Sequence, residues 1–271
     1  MEYTTLNIEE EKHFITVWLN RPKVHNAING EMIHELLYFF NEIACNQQAR
    51  VVVIRGKGKS FCAGADLNWM KEVLNYTYDQ NYLDSLTLAK CLYAMNVCPK
   101  VVISVVHGAV MGGANGLAAA SDIVVSTDNA QFAMSETSLG LVPAIISPYV
   151  IDKIGKSHAR RLMLMATKFD AVEAERIGLV HYVVSEGELD NKVEEIINQV
   201  LKNSPDAIRR TKQLLEKISM LNNPDELMKY TSETIAKARI SEEGQEGIAA
   251  FFSKQKPGWV AQTEKKENHL N

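Results

Sequence analysis

The 271-residue sequence lacks a basic excess and any long apolar run. Its 29 Lys and Arg residues are outnumbered by 33 Asp and Glu residues, which gives a net charge of −4. A general nucleic-acid binder would carry a basic stripe, so we expect no nucleic-acid partner. No segment approaches the roughly 18 apolar residues of a membrane-spanning helix, so we expect no membrane partner either. Two or three local Lys or Arg residues would still suffice for a phosphorylated small molecule.

Cysteine is scarce and shows no pairing pattern. The four cysteines form no C-x-x-C pair and have no nearby His at zinc-ligand spacing; they are Cys45, Cys62, Cys91 and Cys98. We therefore expect reduced thiols, no metal site and a cytoplasmic protein, and the N-terminal segment shows no signal-peptide pattern. Cys62 lies beside a glycine turn, which leaves a nucleophilic role open, although no Gly-x-Ser-x-Gly motif or P-loop is present.

Apolar periodicity predicts an α/β core followed by helices. Apolar runs and alternating segments predict strands at Thr5–Glu9, Phe14–Leu19, Arg50–Arg55, Val101–Val106, Ile123–Val125, Gln131–Ala133 and Val180–Val184. Helical spacing predicts helices at Gly30–Asn46, Tyr78–Val97, Ala114–Ala120, Tyr149–Ile154, Ser157–Ala166, Ala171–Ile177, Glu188–Lys202, Pro205–Met220, Pro224–Ile240 and Glu242–Lys254. Strands and helices alternate in the first half and helices dominate the second, which is typical of an α/β core with a C-terminal helical portion.

Two turns rich in small residues follow predicted strands. The first, Ala63–Asp66, leads into a short helix, and the second, Gly112-Gly113, precedes the helix Ala114–Ala120. A strand-to-helix turn leaves backbone N–H groups without partners, and these favour an anion. Two such N–H groups aimed at one oxygen would form an oxyanion hole for an enolate or a tetrahedral intermediate. The alternative is an ordinary tight connection in each case, with the small residues serving helix packing.

Glu136 is the candidate proton-transfer group. It lies 23 residues beyond Gly113 in a weakly charged segment, and it precedes the apolar run Leu139–Ile146. Burial beside such a run would raise the pKa of the carboxyl group, which suits a general acid or base. An N-cap or a salt bridge would equally explain a glutamate there. His107, next to Gly108, is a second candidate base, although a lone His at a strand end is more often structural.

With these residues placed, nearly the whole chain resembles the enoyl-CoA hydratase/isomerase family, also called the crotonase family. The motifs that carry the resemblance are LNRPKVHNAIN at Leu19–Asn29, VVVIRGKGKSFCAGADL at Val51–Leu67, HGAVMGGANGLAAASDI at His107–Ile123, FAMSETSLGLVP at Phe132–Pro143, AERIGLV at Ala174–Val180 and FFSKQKPGW at Phe251–Trp259. The resemblance implies a crotonase-like spiral of β-β-α repeats in residues 1–200, a helical trimerisation region in 201–260 and a polar, disordered tail in 261–271. It also implies a homotrimer or a dimer of trimers.

The resemblance assigns roles to residues already singled out. It places the oxyanion-hole N–H groups on Ala65 and Gly113 and a catalytic acid/base on Glu136. The residues it places against the acyl-CoA substrate are Ala63, Gly64, Ala65, Asp66, Gly113, Lys23, Val24, Phe251 and Lys254. The last two fall where a neighbouring subunit would cover the coenzyme A tail. Coenzyme A enters only as part of the substrate, and the implied reaction needs no metal and no other cofactor.

One position departs from the family pattern. In two-glutamate hydratases of this family the other carboxylate lies three residues after the oxyanion glycine, and here that position is Gly116. Adding water to a conjugated double bond requires activation of the water and a proton for the α-carbon. Isomerising a 3-enoyl to a 2-enoyl thioester needs only one base. The chemistry by itself therefore favours an isomerase.

A closer resemblance favours hydration. The segments NWM at Asn68–Met70, GGANGL at Gly112–Leu117 and SETSLGLVPAIISPYVIDKIG at Ser135–Gly155 resemble a bacterial group assigned to 3-methylglutaconyl-CoA hydration in leucine breakdown, which also carries glycine in place of the second glutamate. We therefore expect an enoyl-CoA hydratase for 3-methylglutaconyl-CoA or a similar short branched enoyl-CoA. The alternatives are a Δ3,Δ2-enoyl-CoA isomerase, another enolate-forming enzyme such as a decarboxylase, and an acyl-CoA-binding protein without catalysis.

Overall fold

The computed structural model describes residues 2–43, 46 and 48–260. Cys45 and the predicted tail 261–271 lie outside the described residues. The chain divides into two compact units, Met1–Glu194 and Glu195–Asn271. The first unit contains both sheets, and the second is helical.

The strands lie in two sheets. Their bounds are β1 Leu6–Glu10, β2 Phe14–Leu19, β3 Val51–Gly56, β4 Val101–Val106, β5 Ala109–Met111, β6 Ile123–Thr127, β7 Gln131–Ala133, β8 Phe169–Asp170 and β9 Tyr182–Val184. The larger sheet has the order β1-β2-β3-β4-β6-β9, and its strands are parallel except for the antiparallel pair β1 and β2. The smaller sheet has the order β5-β7-β8, with β5 parallel to β7.

The helices follow the strands in the first unit and continue alone in the second. Their bounds are α1 Gly30–Ile43, α2 Leu67–Val73, α3 Tyr78–Asn96, α4 Gly113–Ala120, α5 Ser147–Met165, α6 Ala171–Arg176, α7 Leu189–Leu201, α8 Pro205–Ser219, α9 Pro224–Arg239 and α10 Glu242–Ser253. The division between the two units falls inside α7. The predicted α/β class with C-terminal helices matches this architecture.

The core of the first unit lies between the larger sheet and its helices. Every residue of β4 is buried, as is the Val51–Ile54 run of β3, because parallel strands are covered on both faces. Helix α1 buries Met32, Leu36 and Phe40 at helical spacing and packs against α3. Helix α4 packs on α3 and α5 through a run of small buried side chains.

The structure contains two strands that the sequence does not predict. They are β5 and β8, which have three and two residues. The helices predicted at Tyr149–Ile154 and Ser157–Ala166 form one element, α5, which is interrupted at Gly155 where φ is 71°. The two predicted helices are therefore present as helical segments on either side of the non-helical Gly155.

A buried carboxylate fixes the N-terminal strand to α1. Glu35 is 1% exposed and accepts hydrogen bonds from the backbone N–H groups of Thr4, Thr5 and Leu6 and from both threonine hydroxyls. Burial by itself raises the pKa of Glu35, but the hydrogen bonds from Thr5 and Thr4 outweigh burial, so this pKa lies below its ordinary value. The carboxylate therefore replaces the sheet partner that the start of β1 lacks.

The second unit consists of capped helices with exposed apolar side chains. The caps Ser204, Asn223 and Ser241 accept hydrogen bonds from the first backbone N–H groups of α8, α9 and α10. Large apolar residues that are exposed in this unit include Leu215, Met220, Met228, Ile235, Ile240, Ile248, Phe251 and Phe252. The trimerisation role expected for these helices stays a prediction.

Candidate active site

The turn before α2 leaves one backbone N–H group free. The N–H of Ile28 donates to Gly64 O at 2.7 Å, and the N–H of Asp66 donates to Ile28 O at 2.8 Å. In this parallel bridge Ala65 is the partner of Ile28, so its own N–H points away from that pairing. No hydrogen bond among the described residues uses the Ala65 N–H. Ala65 therefore offers an unpaired donor, as the sequence suggested for this turn.

An internal ion pair holds the same turn. The Asp66 carboxylate caps α2 by accepting from the N–H groups of Asn68 and Trp69, and its other oxygen lies 2.8 Å from Nη2 of Arg21. Burial raises the pKa of Asp66, but the Arg21 guanidinium and the two backbone donors outweigh it, so the pKa lies below its ordinary value. The carboxylate thus stays ionised and engaged inside the protein, which leaves the backbone of this turn as its ligand-facing feature.

The turn before α4 leaves a second N–H group free. Gly112 adopts φ 50° and ψ −121°, a conformation that a residue with a Cβ rarely reaches, and its N–H donates to Ala133 O at 2.8 Å. Gly113 is the first residue of α4, where an N–H has no partner within the helix. No hydrogen bond among the residues that the structure describes uses this N–H.

Strand register brings the two free donors together. Cys62 and Val110 form a parallel bridge, and Ala65 and Gly113 each lie three residues beyond it. The two chain segments stay close beyond the bridge: a Cβ added to Gly64 would lie only 3.0 Å from Met111 O. Ile28, the bridge partner of Ala65, also reaches the second turn: its Cδ1 would lie 3.3 Å from a Cβ on Gly113. The two turns therefore lie next to each other, and each carries an unpaired N–H group.

Glu136 faces the second turn with an unused carboxylate. It begins the 3₁₀ turn Glu136–Leu139, and its Oε1 would lie 3.5 Å from a Cβ on Gly112. Its Oε2 is buried without a hydrogen-bond partner, and no salt bridge of the described residues involves Glu136. Burial raises the pKa of Glu136. The N-cap and salt-bridge interpretations are therefore both wrong for this residue.

The surroundings of Glu136 include an element other than the apolar run that follows it in the sequence. Leu139, Leu141 and Val142 of the following apolar run are 60%, 55% and 73% exposed, whereas Ile146 at its end is buried. The close approach of the Gly112 turn contributes to the enclosure of the carboxylate. The direction of the pKa shift was predictable, whereas the contribution of the Gly112 turn was not.

Apolar side chains fill the space beside Gly116. A Cβ at this position would lie 2.5 Å from Cγ2 of Ile146 and 3.1 Å from Cδ1 of Leu92. Gly116 itself is buried within α4. A larger side chain at this position would have to displace the branched Ile146 side chain. The absence of a second carboxylate is thus built into the packing of α4 against its neighbours, not only into the sequence.

The remaining predicted contact residues lie on exposed segments. Lys23 and Val24 belong to an exposed 3₁₀ turn, and the next residue, His25, accepts a hydrogen bond from the N–H of Ala63 at 2.9 Å. This bond joins the predicted Lys23 and Val24 contacts to the Ala65 turn. Phe251 and Lys254 lie in the second unit, in α10 and at its C-terminal cap, and both are exposed.

Two alternative catalytic residues are engaged structurally. The Nε2 atom of His107 lies 2.9 Å from Gly58 O. Cys62 is 0% exposed, and burial raises the pKa of its thiol to about 12, so a nucleophilic thiolate is not available at neutral pH. Within the described ranges, no cluster of His, Cys, Asp or Glu could hold a metal ion. Among the helices that the structure describes, none is long and apolar enough to cross a membrane.

Sequence reasoning missed three residues around this site: Ile28, Asn115 and Ile146. Ile28 bridges the two turns, Ile146 fills the space at Gly116, and Asn115 bonds to both the second turn and the end of β7. Asn115 carried a signal, because it is the one polar residue in the segment GANGLAAA. The two isoleucines carried none, since apolar residues at such positions are ordinary core residues.

The geometry agrees with the comparisons with known proteins. The family model described as enoyl-CoA hydratase/isomerase matches residues 9–262. The short-chain-enoyl-CoA hydratase of Clostridium acetobutylicum is 32% identical over 258 residues, which cover 94% of this chain and 97% of that protein. The crystal structure of an enoyl-CoA hydratase from Shewanella pealeana is 37% identical, with a TM-score of 0.92 over 95% of this chain and 97% of that one. Pseudomonas aeruginosa AtuE is 34% identical, with a TM-score of 0.91 over 95% of this chain and 100% of that one. The fold predicted from the resemblance is confirmed, and the chain belongs to the enoyl-CoA hydratase/isomerase family.

Proposed function

We propose that this protein is an enoyl-CoA hydratase that adds water to a 2-enoyl-CoA thioester through an oxyanion-stabilised enolate. One observation carries the proposal: two neighbouring turns each have an unpaired backbone N–H group, on Ala65 and Gly113, and the second turn lies against the half-buried carboxylate of Glu136, whose Oε2 has no hydrogen-bond partner. Donors of this kind stabilise charge that develops on a carbonyl oxygen, and removing one typically costs about 10²–10³ in kcat. A carboxyl group of raised pKa beside them suits proton transfer near neutral pH.

The proposed reaction proceeds in two proton transfers. The thioester oxygen accepts hydrogen bonds from Ala65 and Gly113. The Glu136 carboxylate takes a proton from water, the oxygen of that water forms a bond to the β-carbon, and the electron pair of the double bond moves onto the thioester oxygen as an enolate. The enolate then takes the proton from the same carboxyl group at its α-carbon. The product is a 3-hydroxyacyl-CoA, and Glu136 returns to its ionised state.

The substrate and its binding follow from the resemblance. We assign 3-methylglutaconyl-CoA, or a similar short branched enoyl-CoA of leucine breakdown, as the substrate. Backbone groups of Ala63–Asp66, with Lys23 and Val24, contact the coenzyme A part, and Phe251 and Lys254 of a neighbouring subunit cover its tail. The assembly is then a homotrimer or a dimer of trimers in the cytoplasm, and the reaction uses no metal or other cofactor.

A second reaction is favoured by the packing at Gly116. Ile146 and Leu92 occupy the space that a side chain at position 116 would enter, so the second carboxylate of the two-glutamate hydratases has no counterpart at this position of α4. A single base suffices to move a proton between two carbons, which is the requirement of a Δ3,Δ2-enoyl-CoA isomerase. A non-catalytic acyl-CoA-binding protein is the weakest alternative, because it would gain nothing from an unpaired buried carboxylate that destabilises the fold.

A spectrophotometric panel tests the assignment. The purified protein is given crotonyl-CoA, 3-methylglutaconyl-CoA and a 3-enoyl-CoA, and the absorbance of the conjugated enoyl thioester is followed. Hydration removes this absorbance from the first two substrates, with the highest kcat/KM expected for 3-methylglutaconyl-CoA. Appearance of the absorbance from the 3-enoyl substrate, without its loss from the others, would identify an isomerase. Tight binding of all three without any turnover would identify a binding protein.

A further inference from the structure

We propose that Asn115 is a positioning residue that fixes the separation between the Gly113 N–H and the Glu136 carboxylate. Its side chain is 0% exposed. The two hydrogens of Nδ2 are shared among three backbone carbonyls: Ala133 O at 2.8 Å, Val110 O at 3.2 Å and Gly112 O at 3.2 Å. These carbonyls belong to β5, to the turn before α4 and to the end of β7, so one side chain joins three segments.

The bonds at Ala133 connect the two halves of the site. Ala133 O accepts from Nδ2 of Asn115 and also from the N–H of Gly112, each at 2.8 Å. Gly112 directly precedes the donor Gly113, and Ala133 precedes Glu136 by three residues. The oxyanion donor and the carboxylate are thus each a short stretch of backbone away from the same carbonyl oxygen. A change at Asn115 would alter their separation before it altered anything else in the site.

Two features of Asn115 indicate a specific role: the orientation of its side-chain amide and the free-energy cost of placing this residue in α4. With its amide reversed, Oδ1 would face three carbonyl oxygens, so the acceptors on all three segments fix the orientation. In the observed orientation Oδ1 is buried without a hydrogen-bond partner. Asparagine is also a weak helix former, yet it occupies the first turn of α4. These unfavourable features are offset only by the three bonds that Nδ2 makes.

The inference rests on the proposed function, because the separation matters only if enolate stabilisation and proton transfer occur together. A misplacement of about 1 Å between reacting groups can cost about 100-fold in rate. Binding of the coenzyme A part would change little, since the Ala65 turn is held independently by Ile28 and the Arg21–Asp66 pair. Loss of Nδ2 should therefore lower kcat and leave KM nearly unchanged.

The test compares Asn115→Leu with Ser104→Ala. Leucine is close to asparagine in size but donates no hydrogen bond. Ser104 is also 0% exposed, and its hydroxyl lies 2.6 Å from that of Ser121, so the control removes a buried hydrogen bond in β4. We expect Asn115→Leu to lower kcat for crotonyl-CoA by about 10- to 100-fold with KM within about twofold. Ser104→Ala should lower thermal stability and leave kcat per folded molecule within about twofold.

A second readout separates this inference from the proposed function. Bound acetoacetyl-CoA forms an enolate with its own ultraviolet absorbance, and this needs the oxyanion donors but no turnover. If the wild type hydrates no enoyl-CoA, the proposed function fails, and the enolate absorbance still decides the role of Asn115. The inference holds if Asn115→Leu binds acetoacetyl-CoA but loses most of this absorbance. It is overturned if kcat and the enolate absorbance match those of Ser104→Ala, or if the wild type forms no enolate. Should the leucine variant not fold, Asn115→Ser is judged by the same criteria.

Discussion

Two carboxylates in the first unit, the buried Glu35 and the half-buried Glu136, have opposite surroundings. Glu35 accepts five hydrogen bonds from Thr4, Thr5 and Leu6, and its pKa lies below the ordinary value. Glu136 has an oxygen without any partner, and burial raises its pKa. Every hydrogen bond that Glu35 needs is supplied by its surroundings, whereas Glu136 has one buried oxygen with no hydrogen-bond partner.

The difference in hydrogen bonding separates a carboxylate that stabilises the fold from one suited to proton transfer. A buried ionised group is tolerated when hydrogen bonds replace its lost hydration, and this is how Glu35 stabilises the N-terminal strand. An unsatisfied carboxylate costs stability, and its unused oxygen remains free to exchange a proton with a bound molecule. Burial alone therefore does not identify a catalytic group, whereas burial without partners does point to one.

The largest expected effect comes from removing the charge of Glu136. Glu136→Gln should lower kcat for enoyl-CoA hydration by about 10²–10⁴-fold, because the amide cannot take a proton from water. Steady-state assay of the absorbance loss measures this effect. Glu186→Gln, which alters an exposed carboxylate, is the matched control and should leave kcat unchanged. Near-normal turnover in Glu136→Gln on every enoyl-CoA tested would show that Glu136 is not the proton-transfer group.

The second-largest effect is a loss of stability when the carboxylate of Glu35 is removed. Glu35→Ala leaves the buried N–H groups of Thr5 and Leu6 without acceptors and should lower the free energy of unfolding by about 3 kcal/mol. Urea unfolding measures this loss. The kcat of the folded fraction should stay at the wild-type value, since Glu35 has no contact with the site. A variant that keeps full stability would show that the hydrogen bonds of Glu35 do not stabilise β1.

A smaller effect should appear in the pH dependence of stability. The pKa of Glu35 is lowered by folding, so its stabilising contribution is complete above the unfolded-state pKa of about 4.3 and is lost as pH falls through the folded-state value. The difference in unfolding free energy between wild type and Glu35→Gln should therefore shrink in acid. A difference that stays constant or grows as pH falls would contradict the lowered pKa.

The smallest effect is a change in stability at Glu136. Its pKa is raised by folding, so the ionised form costs stability as pH rises through the folded-state value. Glu136→Gln removes this cost and should unfold at the same temperature as the wild type or slightly above it at neutral pH. Differential scanning calorimetry compares the two proteins. A clear loss of stability would indicate that Glu136 has a structural partner after all.

The extent of sequence-based prediction differs between the fold and the site. Buried runs such as Val51–Ile54 and Val101–Val106 were recognisable as strands because both faces of each are apolar. Local turn chemistry predicted unpaired N–H groups in the turns before α2 and α4, and the structure leaves the N–H groups of Ala65 and Gly113 unpaired. These features are local, and a local pattern suffices to predict them. The oxyanion-hole role of these two residues came from the family resemblance and stays a prediction.

What the sequence could not provide depends on contacts between distant segments. Ile146 fills the space at Gly116 from another element, and nothing in its own neighbourhood distinguishes it from a core residue. The hydrogen bonds of Glu35 require the residues just before β1 to lie against α1, and no periodicity in the sequence predicts that contact. The enclosure of Glu136 by the Gly112 turn was also hidden, because the adjacent apolar run suggested a different cause.

The pH dependence of kcat/KM for enoyl-CoA hydration tests the central claim most directly. If one buried carboxylate without a partner carries out proton transfer, kcat/KM should fall on the acidic side with the slope of a single ionisation, at a pKa above the ordinary value for glutamate. Glu35→Gln should keep this acidic fall in kcat/KM, and the residual activity of Glu136→Gln should no longer show it. An acidic limb at an ordinary glutamate pKa, or one that persists in Glu136→Gln, would contradict the account.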